Sequence, residues 1–340
     1  MKQIGLAGAT AIGLGAIIGA GIFVLSGTTI NLAGTGAIIA FAITGLIALM
    51  YALEVSELTG EMPKEHGASY SFAYKTFGSE LGFITGMLTY TGYTTSVSAI
   101  ATGFGSYVVA LLGLPLYYAI PFSVLLIILL MSLNLRGLKK AASVDVVLVA
   151  FKVAVLVIFI VFAVSHARAA ASLFTGVYSK GFTGIFAASV VALFAYSGFQ
   201  SIASITPSIK GGGKTAAKAI ILAALISMIL YLGVAIAMLL LVPASKFPIS
   251  ADPLGFVLTQ VSAPSWLFVL VGIAALVATA SASLSMMLGS SRFLYQMSAD
   301  GLLPKKLSTM NKITDSPTNA ILLTTGISLV MLFSGNIYTL

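Results

Sequence analysis

The feature that most limits the fold of this sequence is a long apolar run in its second half. Residues 219–242 read AIILAALISMILYLGVAIAMLLLV, which is 24 positions without a charged side chain. About 20 such residues cross the hydrocarbon core of a bilayer as one α-helix, whereas strands of a membrane β-barrel show about ten residues of alternating polarity. The run therefore predicts membrane-spanning helices.

The composition extends this prediction to the whole chain. Hydrophobic residues make up 59% and charged residues 8% of the 340 residues. Soluble domains average roughly 45–50% and about 25%, so a water-soluble fold is excluded. Charges and turn residues divide the chain into nine predicted spans, near residues 6–30, 36–56, 81–111, 116–134, 145–165, 182–205, 217–241, 265–291 and 318–334.

The basic residues predict how these spans are oriented. With a cytoplasmic N-terminus, 13 of the 17 Lys and Arg residues fall in cytoplasmic segments, and only Arg168, Lys180 and Lys246 fall on the other side. Cytoplasmic loops are enriched in Lys and Arg in this way. We therefore expect a multi-pass protein of the cell membrane with its N-terminus in the cytoplasm. The net charge of +8 is then explained by topology, without a nucleic-acid partner.

Reactive and metal-binding side chains are scarce. The chain has no cysteine and two histidines, which excludes disulfides, cysteine nucleophiles and metal sites built from Cys or His. A membrane-embedded enzyme would need a nucleophile, a metal or a carboxylate constellation within the bilayer, and the sequence shows none. We therefore predict a protein that is not an enzyme and uses no cofactor.

Two spans are poor continuous helices. Span 1 contains seven glycines between Gly5 and Gly27, and span 6 contains Gly198 and is followed closely by Pro207. Each glycine inside a helix costs about 1 kcal/mol relative to alanine. One interpretation is close helix packing through small residues. The other is that both helices unwind and line a solute cavity, as in transporters whose inverted repeats place the substrate at their interface.

Several short motifs occur in an order that resembles the amino acid–polyamine–organocation (APC) superfamily of secondary transporters. The resemblance covers nearly the whole chain. The motifs are Gly15 with Gly19-Ala20-Gly21-Ile22-Phe23, Glu57-Leu58 with Met62-Pro63, Gly67, Tyr70 and Phe77-Gly78, Asn134-Leu135-Arg136-Gly137, Phe194-Ala195-Tyr196-Ser197-Gly198-Phe199, and Asp300-Gly301-Leu302-Leu303-Pro304.

The resemblance implies an all-α integral membrane fold. It is the five-plus-five inverted-repeat bundle of a bacterial leucine transporter, with helices 1 and 6 broken at mid-membrane. The chain would form a single transmembrane transporter domain over 1–340, with repeat one at about 6–165 and repeat two from about 182. That fold needs at least ten spans, so we expect repeat two to lack its final helix and the chain to be truncated at its C-terminus.

The implied function is secondary active transport of amino acids across the cell membrane, with the amino acid, protons and the lipid bilayer as partners. Gln200 stands where the family often has an acidic residue, and spans 3, 6 and 8 carry no acidic residue at mid-span. The lack of acidic residues favours neutral amino acids as substrates, and it makes an acidic proton-coupling residue in span 6 unavailable. The resemblance implies proton-coupled uptake by alternating access through a lysine in span 5, described below. The alternatives are an amino acid exchanger or a polyamine or cationic amino acid permease of the same superfamily. The sequence does not determine the oligomeric state.

The two breaks would supply backbone groups that bind the two charged ends of a zwitterionic amino acid. Backbone N–H groups around Gly19, Ala20 and Gly21 would face its carboxylate, and carbonyls near Phe194, Ala195 and Ser197 would accept from its ammonium. The resemblance implies that Phe194 covers the substrate and gates it; an ordinary core- or lipid-facing Phe is the alternative. The predicted substrate-binding residues are Ile17, Gly19, Ala20, Gly21, Phe194, Ala195 and Ser197.

Lys152 is the one basic residue inside a predicted span. A lysine there costs at least about 2.5–3.5 kcal/mol, unless its side chain reaches back to the interface. The resemblance implies that it replaces a bound sodium ion and couples transport to protons. Its ammonium would then face carbonyls of the span-1 break and span-8 hydroxyls such as Ser281, Ser283 and Ser285.

Span 3 carries an unusual polar run at residues 89–96, Thr-Tyr-Thr-Gly-Tyr-Thr-Thr-Ser. Such side chains either line a pocket or hydrogen-bond between and within helices. The sequence leaves both interpretations open.

Overall fold

The computed structural model describes residues 4–64, 68–167, 180–249, 252–311, 313–314 and 316–334. Gly67 of the loop motif and Arg168 of the charge distribution lie outside these residues. The described part is helical and contains no strand longer than an isolated bridge. Its α-helices are α1 (Leu6–Ile17), α2 (Ala20–Phe23), α3 (Ser26–Ala33), α4 (Ala37–Glu61), α5 (Ser69–Phe77), α6 (Ser79–Leu112), α7 (Ala119–Leu135), α8 (Leu138–Ser165), α9 (Gly181–Ala195), α10 (Gln200–Ser204), α11 (Gly212–Leu241), α12 (Pro253–Gln260), α13 (Ser265–Ala299) and α14 (Thr318–Ser334).

Eight helical segments of the described chain are long and apolar enough to cross a membrane. Helices α1 and α2 together form one of them, α3 and α4 another, and α9 and α10 a third. Helix α14 is a further apolar helix, shorter at 17 residues. Large apolar side chains cover the outside of the bundle, among them Met50, Phe186 and Val330, each more than two thirds exposed. The prediction of an all-helical membrane protein is confirmed.

The predicted interruptions in spans 1 and 6 are present. Helix α1 ends at Ile17 and α2 begins at Ala20, while α9 ends at Ala195 and α10 begins at Gln200. In the second break, Gly198 has a φ of +129°, a backbone conformation that residues with a β-carbon rarely adopt. Gly198 is therefore required by the backbone conformation of the break itself.

Two short helices mark the two ends of the bundle. Helix α5 lies at the end where α1 begins and α13 ends, which we call the inner face after its predicted orientation. Helix α12 lies at the opposite end, the outer face, where Gly27 packs against Pro253. Next to it, the Asn31 side chain donates a hydrogen bond to the Phe247 carbonyl at 2.7 Å. Neither short helix was expected from the sequence.

The bundle packs through small residues and hydroxyls. A β-carbon on Gly105 of α6 would collide with the Ala119 carbonyl of α7, so these helices touch through their backbones. In the polar run of span 3, the Thr94 and Ser96 hydroxyls donate to carbonyls one turn earlier in α6. Just beyond it, the Ser98 hydroxyl donates to the Ser328 carbonyl of α14 at 2.8 Å. For these hydroxyls, the structure favours a packing role over pocket lining.

Candidate functional site

The two helix breaks lie directly against each other. A β-carbon on Gly21 would sit 2.5 Å from the Cα of Ala195, and one on Gly198 would sit 2.8 Å from the carbonyl carbon of Ala16. Gly21 and Ala195 belong to the outer halves of spans 1 and 6, whereas Gly198 and Ala16 belong to the inner side. The two spans thus meet backbone to backbone on both sides of their breaks.

Tyr231 of α11 joins the two breaks. Its hydroxyl lies 2.6 Å from the Ile17 carbonyl and 3.1 Å from the Ala195 carbonyl, within hydrogen-bond distance of both. The side chain is fully buried. Sequence reasoning missed this residue, although a lone tyrosine in the long apolar run of span 7 was a signal, because a buried hydroxyl needs a partner.

Lys152 of α8 binds the end of α1. Its ammonium donates to the Gly15 carbonyl at 3.1 Å and the Ile18 carbonyl at 2.6 Å, and it lies 3.2 Å from the Ser281 hydroxyl of α13. The residue is 0% exposed, which excludes the alternative of a side chain that reaches back to the interface. An ammonium has three donors, and these three oxygens are among the acceptors around it.

The span-8 hydroxyls that were expected near Lys152 differ in their contacts because they lie on different faces of α13. Ser281 is the contact, whereas the Ser283 hydroxyl has no hydrogen-bond partner among the described residues. Residues two apart on a helix do not share a face, so the expectation that Ser283 also faces the lysine is wrong.

The carbonyls predicted to receive the substrate ammonium already accept hydrogen bonds. The Phe194 carbonyl accepts from the Ser197 hydroxyl at 2.7 Å and from its backbone N–H at 3.2 Å. The Ala195 carbonyl accepts from Tyr231, as described above. The Phe194 side chain is half-buried. Its predicted roles in covering and gating the substrate stay predictions.

The carboxylate side of the predicted site lies at the start of α2. Gly19 packs against Ala282 of α13, and its N–H donates to the Ile17 carbonyl at 2.9 Å. The first N–H groups of a helix have no partner within that helix, and the role of Ala20 and Gly21 as donors to a substrate carboxylate stays a prediction. The structure therefore brings Ile17, Gly19, Gly21 and Ala195 together around the crossing breaks.

The buried polar atoms without a hydrogen-bond partner in the described part of the chain include the Tyr93 hydroxyl of α6, the Gln200 carbonyl oxygen of α10 and the Ser283 hydroxyl of α13. Gln200 directly follows the second break, and its amide nitrogen contacts the Tyr51 hydroxyl. Unpaired buried polar atoms are costly and rare in proteins, which makes these three candidates for contacts with a polar ligand.

Comparison with known families decides the class of protein. The sequence model of the family described as amino acid permease matches residues 4–340. The chain belongs to the amino acid permease family. It is a multi-pass membrane transporter of amino acids, as the resemblance to the APC superfamily predicted.

Curated relatives of this permease include transporters with different named substrates. The branched-chain amino acid permease BcaP of Lactococcus lactis is 32% identical over 333 residues, covering 92% of this chain and 71% of that protein. BcaP of Bacillus subtilis is 30% identical over 334 residues, covering 93% and 71%. The vacuolar cationic amino acid transporter 2 of Arabidopsis thaliana is 29% identical over 341 residues, covering 92% and 52%.

A solved structure supports the fold of the permease. Mhp1, a nucleobase-cation-symport-1 family transporter captured in a closed conformation, aligns with a TM-score of 0.62 over 99% of this chain and 74% of its own. The sequence identity is 13%, so this likeness concerns the fold alone.

Proposed function

We propose that this permease takes up neutral amino acids together with protons by alternating access, with its N-terminus in the cytoplasm. The observation that carries the proposal is the buried ammonium of Lys152, bound to the carbonyls of Gly15 and Ile18 at the break of span 1. A fixed cation at this position fills the role that a bound sodium ion has in relatives of the superfamily. Transport would then need no sodium.

Protonation of Lys152 can be linked to movement of α1 by counting donors. The charged ammonium has three protons to donate to the oxygens around it, whereas the neutral amine has two protons and a lone pair. Loss of a proton would therefore remove one of these contacts and weaken the attachment of α1 to α8.

The crossing breaks would bind the two charged ends of the amino acid. Its carboxylate would accept from N–H groups at the start of α2, near Ala20 and Gly21. Its ammonium would donate to carbonyls at the end of α9, near Phe194 and Ala195; a carbonyl oxygen has two lone pairs and can accept more than one hydrogen bond.

The positions of the acidic residues, away from the breaks, favour a substrate with a neutral side chain. The acidic residues whose side chains the structure describes lie toward helix ends and on the two faces, at Glu54, Glu57, Glu61, Glu80, Asp252 and Asp300. Gln200 is neutral and follows the second break directly. The two branched-chain permeases among the relatives support the same substrate class. The Arabidopsis cationic amino acid transporter supports the alternative of a cationic substrate, and exchange is the alternative to net uptake.

The test is uptake into sealed proteoliposomes without sodium. Labelled leucine, isoleucine, valine, arginine and putrescine would be offered with and without an inward proton gradient. We expect the three branched-chain amino acids to accumulate only with the gradient. Accumulation of arginine or putrescine instead would contradict the proposal of a neutral substrate and support the cationic alternative. Uptake that needs an amino acid inside the vesicle would indicate an exchanger.

Two lysine variants test the coupling residue in the same assay. Lys152→Ala should lose gradient-driven accumulation, while Lys180→Ala, at an exposed position of the outer face, should keep it. Full gradient-driven uptake by Lys152→Ala would refute the role of this lysine.

A further inference from the structure

We propose that the inner face of this permease carries a binding surface for phospholipids with anionic headgroups, where the turn between α7 and α8 meets the connection between α13 and α14. We call it the lipid surface and define it by Arg136, Lys305, Lys306 and Ile313. Its basic side chains contact the headgroups, and Ile313 inserts among the acyl chains. The inference goes beyond the proposed function, from which it takes only the orientation of the inner face.

The two connections are rich in basic residues. Residues 136–140 and 300–317 together hold six Lys and Arg residues and two Asp residues. Arg136, Lys305 and Lys306 are exposed. Clusters of about four to eight basic residues directly next to a membrane-spanning helix are typical of sites that bind anionic lipids. The composition of the two connections therefore fits such a site, provided that the fold brings them together.

One of the two acidic residues, Asp300, has partners of its own. Its carboxylate accepts hydrogen bonds from the Tyr70 hydroxyl at 2.8 Å and from the Gln296 amide at 3.2 Å. Asp315 and Lys312 lie outside the described residues. The exposed charge that the structure describes at the lipid surface is therefore positive.

Backbone contacts hold the two connections against each other. A β-carbon on Gly137 would sit 2.4 Å from the Thr314 carbonyl oxygen, so the turn after α7 touches the connection before α14 directly. Next to this contact, the Ser316 hydroxyl lies 3.4 Å from the Leu135 carbonyl oxygen. The basic residues of the two connections thus belong to one surface.

The lipid surface lies at the rim of the bundle, beside helices with exposed apolar side chains. The Asn319 side chain, in the first turn of α14, donates to the Lys306 carbonyl at 2.7 Å, and Arg136 directly follows the end of α7. Leu129 of α7 and Leu322 of α14 are 57% and 47% exposed. At a rise of 1.5 Å per residue, both leucines lie within about 10 Å of the inner ends of their helices. The basic side chains therefore lie at the level of the headgroups around these two helices.

Ile313 adds an apolar side chain to the lipid surface. It is 95% exposed, the most exposed of the large apolar residues that the structure describes. Its N–H and that of Thr314 donate to the Asn311 side-chain oxygen at 2.9 and 3.3 Å, and the Asn311 N–H donates to the Ser316 carbonyl at 2.9 Å. These bonds hold Ile313 outside the protein core, where insertion into the membrane would remove its surface from water.

The occupant that fits this surface is a lipid rather than a protein. A stable protein interface buries about 800 Å² on each partner around an apolar core, whereas the described surface offers one isoleucine among cations. An anionic phospholipid provides a partner for each part: a negative headgroup for the basic side chains and an acyl chain for Ile313.

The test measures which lipid lies next to position 313 in the whole chain. The protein is reconstituted in equal parts of phosphatidylcholine and phosphatidylglycerol, with bromine on the acyl chains of one lipid or the other, because brominated chains quench a nearby tryptophan. The chain has one tryptophan, Trp266, so Ile313→Trp is the reporter in a Trp266→Phe background. We expect brominated lipid to quench it, with a preference for phosphatidylglycerol of about fivefold, the factor that one basic side chain near an anionic surface provides.

A second reporter controls for the inner face in general. Phe77, at the end of α5, is 68% exposed and lies between Lys75 and Glu80 in the sequence, whose charges balance. Phe77→Trp in the same background should be quenched by both brominated lipids without a preference. The same preference at positions 77 and 313 would overturn the assignment to the lipid surface.

Two sets of charge variants test the basic side chains. Arg136→Gln, Lys305→Gln and Lys306→Gln together should abolish the preference at position 313 while the reporter stays quenched. The matched control removes three exposed lysines elsewhere on the inner face, by Lys64→Gln, Lys210→Gln and Lys218→Gln, and should leave the preference unchanged. A preference that survives the first set, or that both sets abolish, would contradict a specific role of the lipid surface.

The remaining outcomes are also decisive. If no brominated lipid quenches Ile313→Trp, the side chain is in water or against a soluble partner, and the proposal is overturned. Equal quenching by the two brominated lipids would exclude selectivity for anionic headgroups. The measurement needs neither substrate nor a proton gradient, so its failure is distinguishable from failure of the proposed function.

Discussion

Gly21 packs so closely against Ala195 that a β-carbon at position 21 would lie 2.5 Å from the Ala195 Cα. The contact joins the outer halves of spans 1 and 6. We predict that Gly21→Ala separates them, because overpacking of this kind costs about 1–3 kcal/mol. Uptake should fall at least several-fold, measured as initial rate in proteoliposomes at equal protein content.

A matched glycine controls for the substitution itself. Gly92 of α6 has no atom within 4 Å of the position its β-carbon would take. Gly92→Ala should keep uptake and raise thermal stability, since alanine favours a helix by about 1 kcal/mol over glycine. Equal uptake by the Gly21 and Gly92 variants would show that the close contact between spans 1 and 6 is not needed for transport.

Tyr231→Phe removes the hydroxyl shared by the Ile17 and Ala195 carbonyls while keeping the ring. We predict a loss of about 1 kcal/mol in stability, typical of one hydrogen bond, together with a lower uptake rate. Thermal unfolding in detergent and uptake should be measured on the same preparation. Tyr118→Phe, at a position that is 40% exposed, should change neither, and a Tyr231 variant that behaves like it would contradict the bridging role.

Tyr70 of α5 donates to the Asp300 carboxylate at the end of α13 at 2.8 Å. A hydrogen bond to a charged group contributes about 1.5–3 kcal/mol, so Tyr70→Phe should lower the unfolding temperature more than Tyr231→Phe does. Asp300→Asn should cause a smaller loss, because the neutral amide oxygen still accepts. The ranking can be read from melting curves recorded side by side, and an Asn variant that is as damaging as Phe would show that the carboxylate does more than accept from Tyr70.

The pH dependence of stability follows from Asp252. Burial raises its pKa in the folded protein above the ordinary value of about 3.8, so the folded state binds more protons than the unfolded state in the window above that value. Stability should therefore fall as pH rises through this window. Asp252→Asn should remove that part of the slope in thermal unfolding measured from about pH 4 to about pH 8. A parent and variant with parallel curves would contradict the assignment.

The features that could be predicted from the sequence are those whose residues are energetically unfavourable in a membrane helix. Glycines crowded into span 1 and a lysine inside span 5 are unfavourable unless the fold uses them, and both lie at the crossing breaks. Helices α5 and α12 were missed because their nine and eight residues are too short to show periodicity between longer apolar runs. Tyr231 was missed because its partners are backbone carbonyls of two other spans, and no sequence pattern marks such acceptors.

The pairing of half-helices across the two breaks has a consequence for leakage. Gly21 and Ala195 hold the outer halves of spans 1 and 6 together, and Gly198 and Ala16 hold the inner side together. In the proposed alternating-access cycle, one pair of half-helices would separate while the other pair stays in contact. A substitution that separates both pairs at once should turn a carrier into a pore, with solute flux that no longer saturates.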